Sequence, residues 1–182
     1  MKKGALGLLL SPFGITQLVM IAAVGAALWL AYDPWRWGKV RESLREKFSD
    51  TAHIDGEMLA RWIENPVNQQ PVILDIRSRA EFSTSHLPRA KNVSAAEIPA
   101  ALGSDVKTDS PIVVYCTVGL DSAAVASSLN RRGFKRVQYL DGGIFLWAND
   151  GRPLVGENGP ATKVNPGNSP HASLLKTGLH TR

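Results

Sequence analysis

Pro111-Ile112-Val113-Val114-Tyr115-Cys116-Thr117-Val118-Gly119-Leu120-Asp121-Ser122 runs from an apolar, β-branched stretch into a glycine-containing turn and then a helical pattern. The apolar part has no polar alternation, as a strand buried on both faces requires. Cys116 stands where that strand ends, and it is the only cysteine of the 182-residue chain. A thiol there faces loop amides and a helix N-terminus, both of which stabilise an anion. With no second cysteine it forms no internal disulfide, so it is either a buried spectator or a nucleophile.

The pattern around this stretch alternates between strand and helix. Asp55 caps a helix reaching Glu64, and 71–76 is a short apolar strand. Residues 90–93 form another strand, and Ser94-Ala95-Ala96-Glu97 is a capping box opening a helix toward Leu102. Residues 121–132 read as a helix stopped by Gly133, 136–140 as a strand and 143–149 as a last helix. This alternation predicts an α/β domain over 50–155, a parallel sheet flanked by helices on both faces. Sites in such sheets form at the carboxyl ends of strands, where Cys116 and Asp75-Ile76-Arg77 both lie.

The N-terminal region is different. Residues 14–32, GITQLVMIAAVGAALWLAY, carry no charge and span about 28 Å as a helix, close to a hydrocarbon core. Trp29, Tyr32, Trp35 and Trp37 cluster at its far end like an interfacial belt. A cleaved leader is the competing reading, but the apolar run and its flank continue past Ala26-Ala27. Residues 1–33 are thus expected to anchor the chain as one N-terminal transmembrane helix in an inner or plasma membrane, contacting lipid. Five Lys or Arg follow the span closely, from Arg36 to Lys47, and two precede it, which predicts a cytoplasmic C-terminal side. Residues 34–49 read as a solvated linker helix. Residues 156–182, rich in Gly, Pro, Asn and Ser, read as a flexible tail.

Composition narrows the function. The net charge of +5 is modest and forms no basic stripe with interleaved aromatics, so nucleic acid is not an expected partner. The four histidines show no metal-ligand spacing, and one cysteine excludes a multi-Cys zinc site.

Three segments in order resemble the rhodanese family. The first is Asp75-Ile76-Arg77, Glu81-Phe82, His86-Leu87-Pro88 and Ala90-Lys91-Asn92, with Arg89 where the family usually has Gly. The second is the strand and loop through Gly119. The third is Leu140-Asp141-Gly142-Gly143-Ile144, Trp147 and Gly151-Arg152-Pro153-Leu154. The resemblance covers 54–155 and implies a sulfurtransferase without metal or organic cofactor. Cys116 would take sulfane sulfur from a donor such as thiosulfate or a persulfide, and a small or protein thiol would accept it. It implies an anion cradle of Thr117, Val118, Gly119, Leu120, Asp121 and Ser122, with Arg77 as a further substrate-binding candidate. Asp121 departs from the pattern, because many active members carry Arg there. A cap on the following helix is the expected role of the carboxylate. The alternative function is a catalytically weak, membrane-tethered binding module. Ser122 stands where the loops of related cysteine phosphatases and arsenate reductases end in Arg, which argues against phosphoryl chemistry.

Overall fold

The computed structural model describes residues 12–65, 67, 69–98, 102, 103 and 105–181. The chain divides into two compact units, Met1–Gly38 and Lys39–Arg182.

Helix α1, Pro12–Lys47, contributes to both units. In the first, Val19, Met20, Ile21 and Val24 are exposed apolar side chains. Many side chains of the 14–32 segment, and all of 1–11, lie outside the described residues. Among the described residues no helix is long and apolar enough to cross a membrane.

The second unit is built on a five-stranded sheet. Its strands are β1 (His53–Ile54), β2 (Val72–Asp75), β3 (Lys91–Asn92), β4 (Ile112–Tyr115) and β5 (Val137–Leu140). Their order is β1-β5-β4-β2-β3, and every pairing is parallel. All four residues of β4 are buried, and successive side chains point to opposite faces, so both faces of this strand are covered. Among the described residues, α2 (Gly56–Glu64), α3 (Arg79–Thr84) and α4 (Leu120–Arg131) join strands of the sheet, and α5 (Gly143–Asn149) follows β5. Asp55 caps α2, accepting from the Met58 amide at 2.7 Å. Ser78 and Glu81 close a capping box on α3, a short helix not predicted from the sequence. Of the helix expected from Ser94 to Leu102, residues 99–101 lie outside the described residues.

Two expectations are corrected. The linker does not end as a solvated spacer. Leu44 is fully buried in the core beside Val114, Ala123 and Tyr139, and Arg41 reaches the buried Asp141 at 2.6 Å. Val40, Leu44 and Phe48, spaced every four residues, form a docking face on the core. The tail is not disordered either. Strands β6 (Leu154–Gly156) and β7 (Gly159–Ala161) form an antiparallel hairpin, followed by two 3₁₀ turns. Val164, Leu174 and Leu175 are buried. Three apolar anchors and local turn bonds suffice to order a segment whose overall composition is polar.

Candidate functional site

β4 ends at Tyr115, and the chain turns through Cys116–Gly119 into α4. Gly119 makes that turn in the left-handed region, with φ 108°, which a side chain would resist. Its amide donates to Cys116 Sγ at 3.2 Å. An amide aimed at sulfur favours the anionic forms, thiolate or persulfide. Cys116 is buried, yet it lines a pocket of about 340 Å³ with Thr117, Val118, Leu120 and Asp121.

The loop is pinned from below. Ile144 and Phe145 amides, in the first turn of α5, donate to the carbonyls of Cys116 (3.0 Å) and Thr117 (3.1 Å). Gly143 makes this approach possible. A Cβ there would lie 2.5 Å from the Cys116 carbonyl oxygen. Ser122 is fully buried and does not line the pocket. Its hydroxyl donates to the Gly119 carbonyl at 3.0 Å, so it positions the turn and does not touch substrate space.

Two further site expectations change. Asp121 does not cap α4. The cap position is Gly119, without a side-chain bond, and Asp121 sits exposed in the first turn against the pocket. The helix starts earlier than a side-chain cap would require because the turn itself uses glycine. Arg77 is not a pocket residue. Its guanidinium forks onto Asp75 (Nε–Oδ1 3.0 Å, Nη2–Oδ2 2.6 Å) and donates to the Ser85 carbonyl at 2.7 Å. Burial pulls the Arg77 guanidinium down, and Asp75 more than reverses it, leaving it raised. The pair holds α3 and the following loop to β2. His86 is likewise structural, stacked on Phe82 and bridged by its backbone to Val155.

Sequence reasoning missed several residues. Glu81 lines the pocket, as do Pro166, Asn168, Ser169, Pro170 and His171 from the C-terminal segment. The buried anchors Val164, Leu174 and Leu175 were the available signal. Leu44 also escaped notice: its Cδ1 would lie 3.2 Å from a Cβ on Gly119, so α1 packs against the turn that holds the sulfur.

Fold and site together define a class, the parallel α/β domain that presents one cysteine in a strand-to-helix loop. The chain belongs to the rhodanese-like family, whose domain model matches residues 59–150. It is 32% identical over 106 residues to a sulfurtransferase of Allochromatium vinosum, covering 58% of this chain and 96% of that protein. It is 33% identical over 89 residues to the thiosulfate sulfurtransferase GlpE of Pseudoalteromonas translucida, covering 49% of this chain and 84% of that protein. The solution structure of a rhodanese-like domain from Anabaena superposes with a TM-score of 0.52 at 24% identity, covering 57% of this chain and 78% of that one, a likeness of fold.

Proposed function

We propose that the protein is a sulfurtransferase that carries sulfane sulfur on Cys116. The observation that carries this reading is the Gly119 amide directed at the Sγ of a cysteine that lines a pocket. The Cys116 thiolate attacks the outer sulfur of a donor. The donor S–S bond breaks, its electron pair leaves with the departing thiolate or sulfite, and a Cys116 persulfide anion remains. An acceptor thiolate then attacks the outer sulfur, restoring the Cys116 thiolate and leaving a persulfide on the acceptor. Electrons balance at each step, and the Gly119 amide serves the anion in both. The kinship to proteins named sulfurtransferases supports the assignment.

The test supplies purified chain with a sulfane donor and a thiol acceptor and follows acceptor persulfide. Cys116→Ser is expected to abolish transfer with an unchanged unfolding midpoint. Equal transfer by the variant overturns the reading.

The reading extends to location. The uncharged 14–32 segment and the exposed Val19, Met20, Ile21 and Val24 support a single-pass anchor in an inner or plasma membrane, with the domain on the cytoplasmic side. Retention of the chain in membranes after an alkaline carbonate wash is expected; release into the wash contradicts the anchor.

A further inference from the structure

The C-terminal segment turns back over the Cys116 pocket. Pro166, Asn168, Ser169, Pro170 and His171 line it together with the loop and Glu81. The segment is fastened on both sides of that stretch. Before it, the Val164 amide donates to Leu179 O at 2.7 Å and Thr181 N returns to Val164 O at 3.1 Å. After it, Asn149 at the end of α5 donates to Leu174 O at 2.7 Å and accepts from the Lys176 amide at 2.9 Å. At its crossing the chain passes close to Glu81, whose Cδ is 3.0 Å from where a Gly167 Cβ would stand. Glu81 is itself held by the Ser78 hydroxyl and amide, so this segment meets a fixed carboxylate.

The charges of the finished pocket are one-sided. Glu81 and Asp121 contribute two carboxylates. Among the described lining residues there is no Lys or Arg, and His171 is the one side chain able to become a cation. Two like charges along a cleft lower the local concentration of an anion and raise that of a cation. A dianionic donor such as thiosulfate meets this field at full strength. An ammonium-bearing donor gains from it.

We propose that the 166–171 segment is a specificity wall, which with Glu81 and Asp121 selects the persulfide of a small amino thiol over inorganic dianions as the sulfur donor. This rests on the reading of Cys116 as sulfur carrier. With such a donor, R–S–S⁻, the Cys116 thiolate attacks the outer sulfur and the donor S–S bond breaks. The electron pair of that bond leaves with the inner sulfur, giving Cys116–S–S⁻ and R–S⁻, which takes its proton from water.

Because Cys116 is the only thiol, charged thiol reagents report on this pocket alone, whether or not it carries sulfur. The full chain is treated with 2-aminoethyl methanethiosulfonate (a cation) or 2-sulfonatoethyl methanethiosulfonate (an anion), with free cysteine as the reference. The cation is expected to be preferred by about tenfold more than for free cysteine. Asp121→Asn should reduce that preference several-fold. Removing the segment outright would strip buried Val164, Leu174 and Leu175 and risk unfolding, so the wall is tested with Asn149→Ala. That variant should speed labelling by a bulky pyrene maleimide while leaving N-ethylmaleimide little changed. Persulfide loading from cysteamine persulfide should exceed loading from thiosulfate, and Asp121→Asn should narrow the gap. A reagent preference equal to that of free cysteine, or one indifferent to Asp121→Asn, overturns the charge selection. Unchanged pyrene labelling in Asn149→Ala overturns the wall. Charge preference without persulfide from either donor leaves the labelling result standing and overturns the sulfur-carrier reading, and with it the assignment of a donor.

Discussion

At the residue scale, the position of one sulfur depends on glycines that bring backbone to backbone. Gly143 has φ 56° and lies against the Cys116 and Thr117 carbonyls of the loop. A side chain there pays the left-handed cost of about 1–2 kcal/mol and also strikes main-chain atoms that cannot rotate away. Gly143→Ala is therefore expected to lose at least about 2 kcal/mol in urea unfolding. It should also slow sulfur loading of Cys116, because the loop must shift to admit the methyl group. Arg89 shows the opposite departure. It occupies the left-handed region at φ 65°, the one non-glycine to do so among the described residues, and donates to Gln70 at 2.7 Å. The family pattern that the sequence resembles has glycine at this position, and a left-handed backbone accounts for it without reference to chemistry. Asp75 and Arg77 belong to the same class of structural residues: their fork is buried, and the guanidinium also lies 5.8 Å from the Tyr115 ring centroid.

At the element scale, the loop is supported from two sides. The N-terminus of α5 pins the Cys116 and Thr117 carbonyls, and the end of α1 places Leu44 against Gly119. Leu44→Ala removes a fully buried side chain and is expected to cost about 2–5 kcal/mol, measured by chemical denaturation. An unchanged midpoint would mean that α1 does not dock in solution. Strands β2 to β5 and helices α2, α4 and α5 were legible in the residues, because β-branched runs, Asp55 and Gly133 are local signals. The cysteine loop was legible for the same reason: a strand end, a glycine and a helix start are adjacent in the chain. What escaped was long-range. Nothing near Arg41 and Leu44 reveals Asp141 and Gly119 as their partners. Nothing near Asn168 or His171 reveals Cys116. Asp121 was placed as a cap because Asp favours caps, whereas the left-handed Gly119 had already taken that position.

At the scale of the whole molecule, the second unit buries two tyrosines beside carboxylates. Burial, then Asp75, pushes the Tyr115 hydroxyl well above its ordinary range; burial, then Asp141, raises that of Tyr139. The folded chain thus keeps protons that the unfolded chain sheds above about pH 10. Their stabilising contribution is complete below that pH. Above it, stability falls as pH rises toward the folded-state values, by up to about 1.4 kcal/mol per pH unit for each tyrosine. Urea midpoints should decline above about pH 10, and Tyr115→Phe should shallow the decline. The same variant should lose about 1 kcal/mol at neutral pH, because the Leu87 amide donates to that hydroxyl at 3.1 Å. An equally steep decline in the variant would remove Tyr115 from the account. Sheet, docked helix and folded tail all converge on one sulfur atom, and that atom offers the most direct measurement. The intact chain is incubated with a sulfane donor, freed of it, digested without reductant and weighed by mass spectrometry. The account predicts that the peptide holding Cys116 gains the mass of one sulfur atom, and that a thiol acceptor then removes it. A Cys116 peptide of unchanged mass, with thiosulfate and with cysteamine persulfide alike, would contradict it.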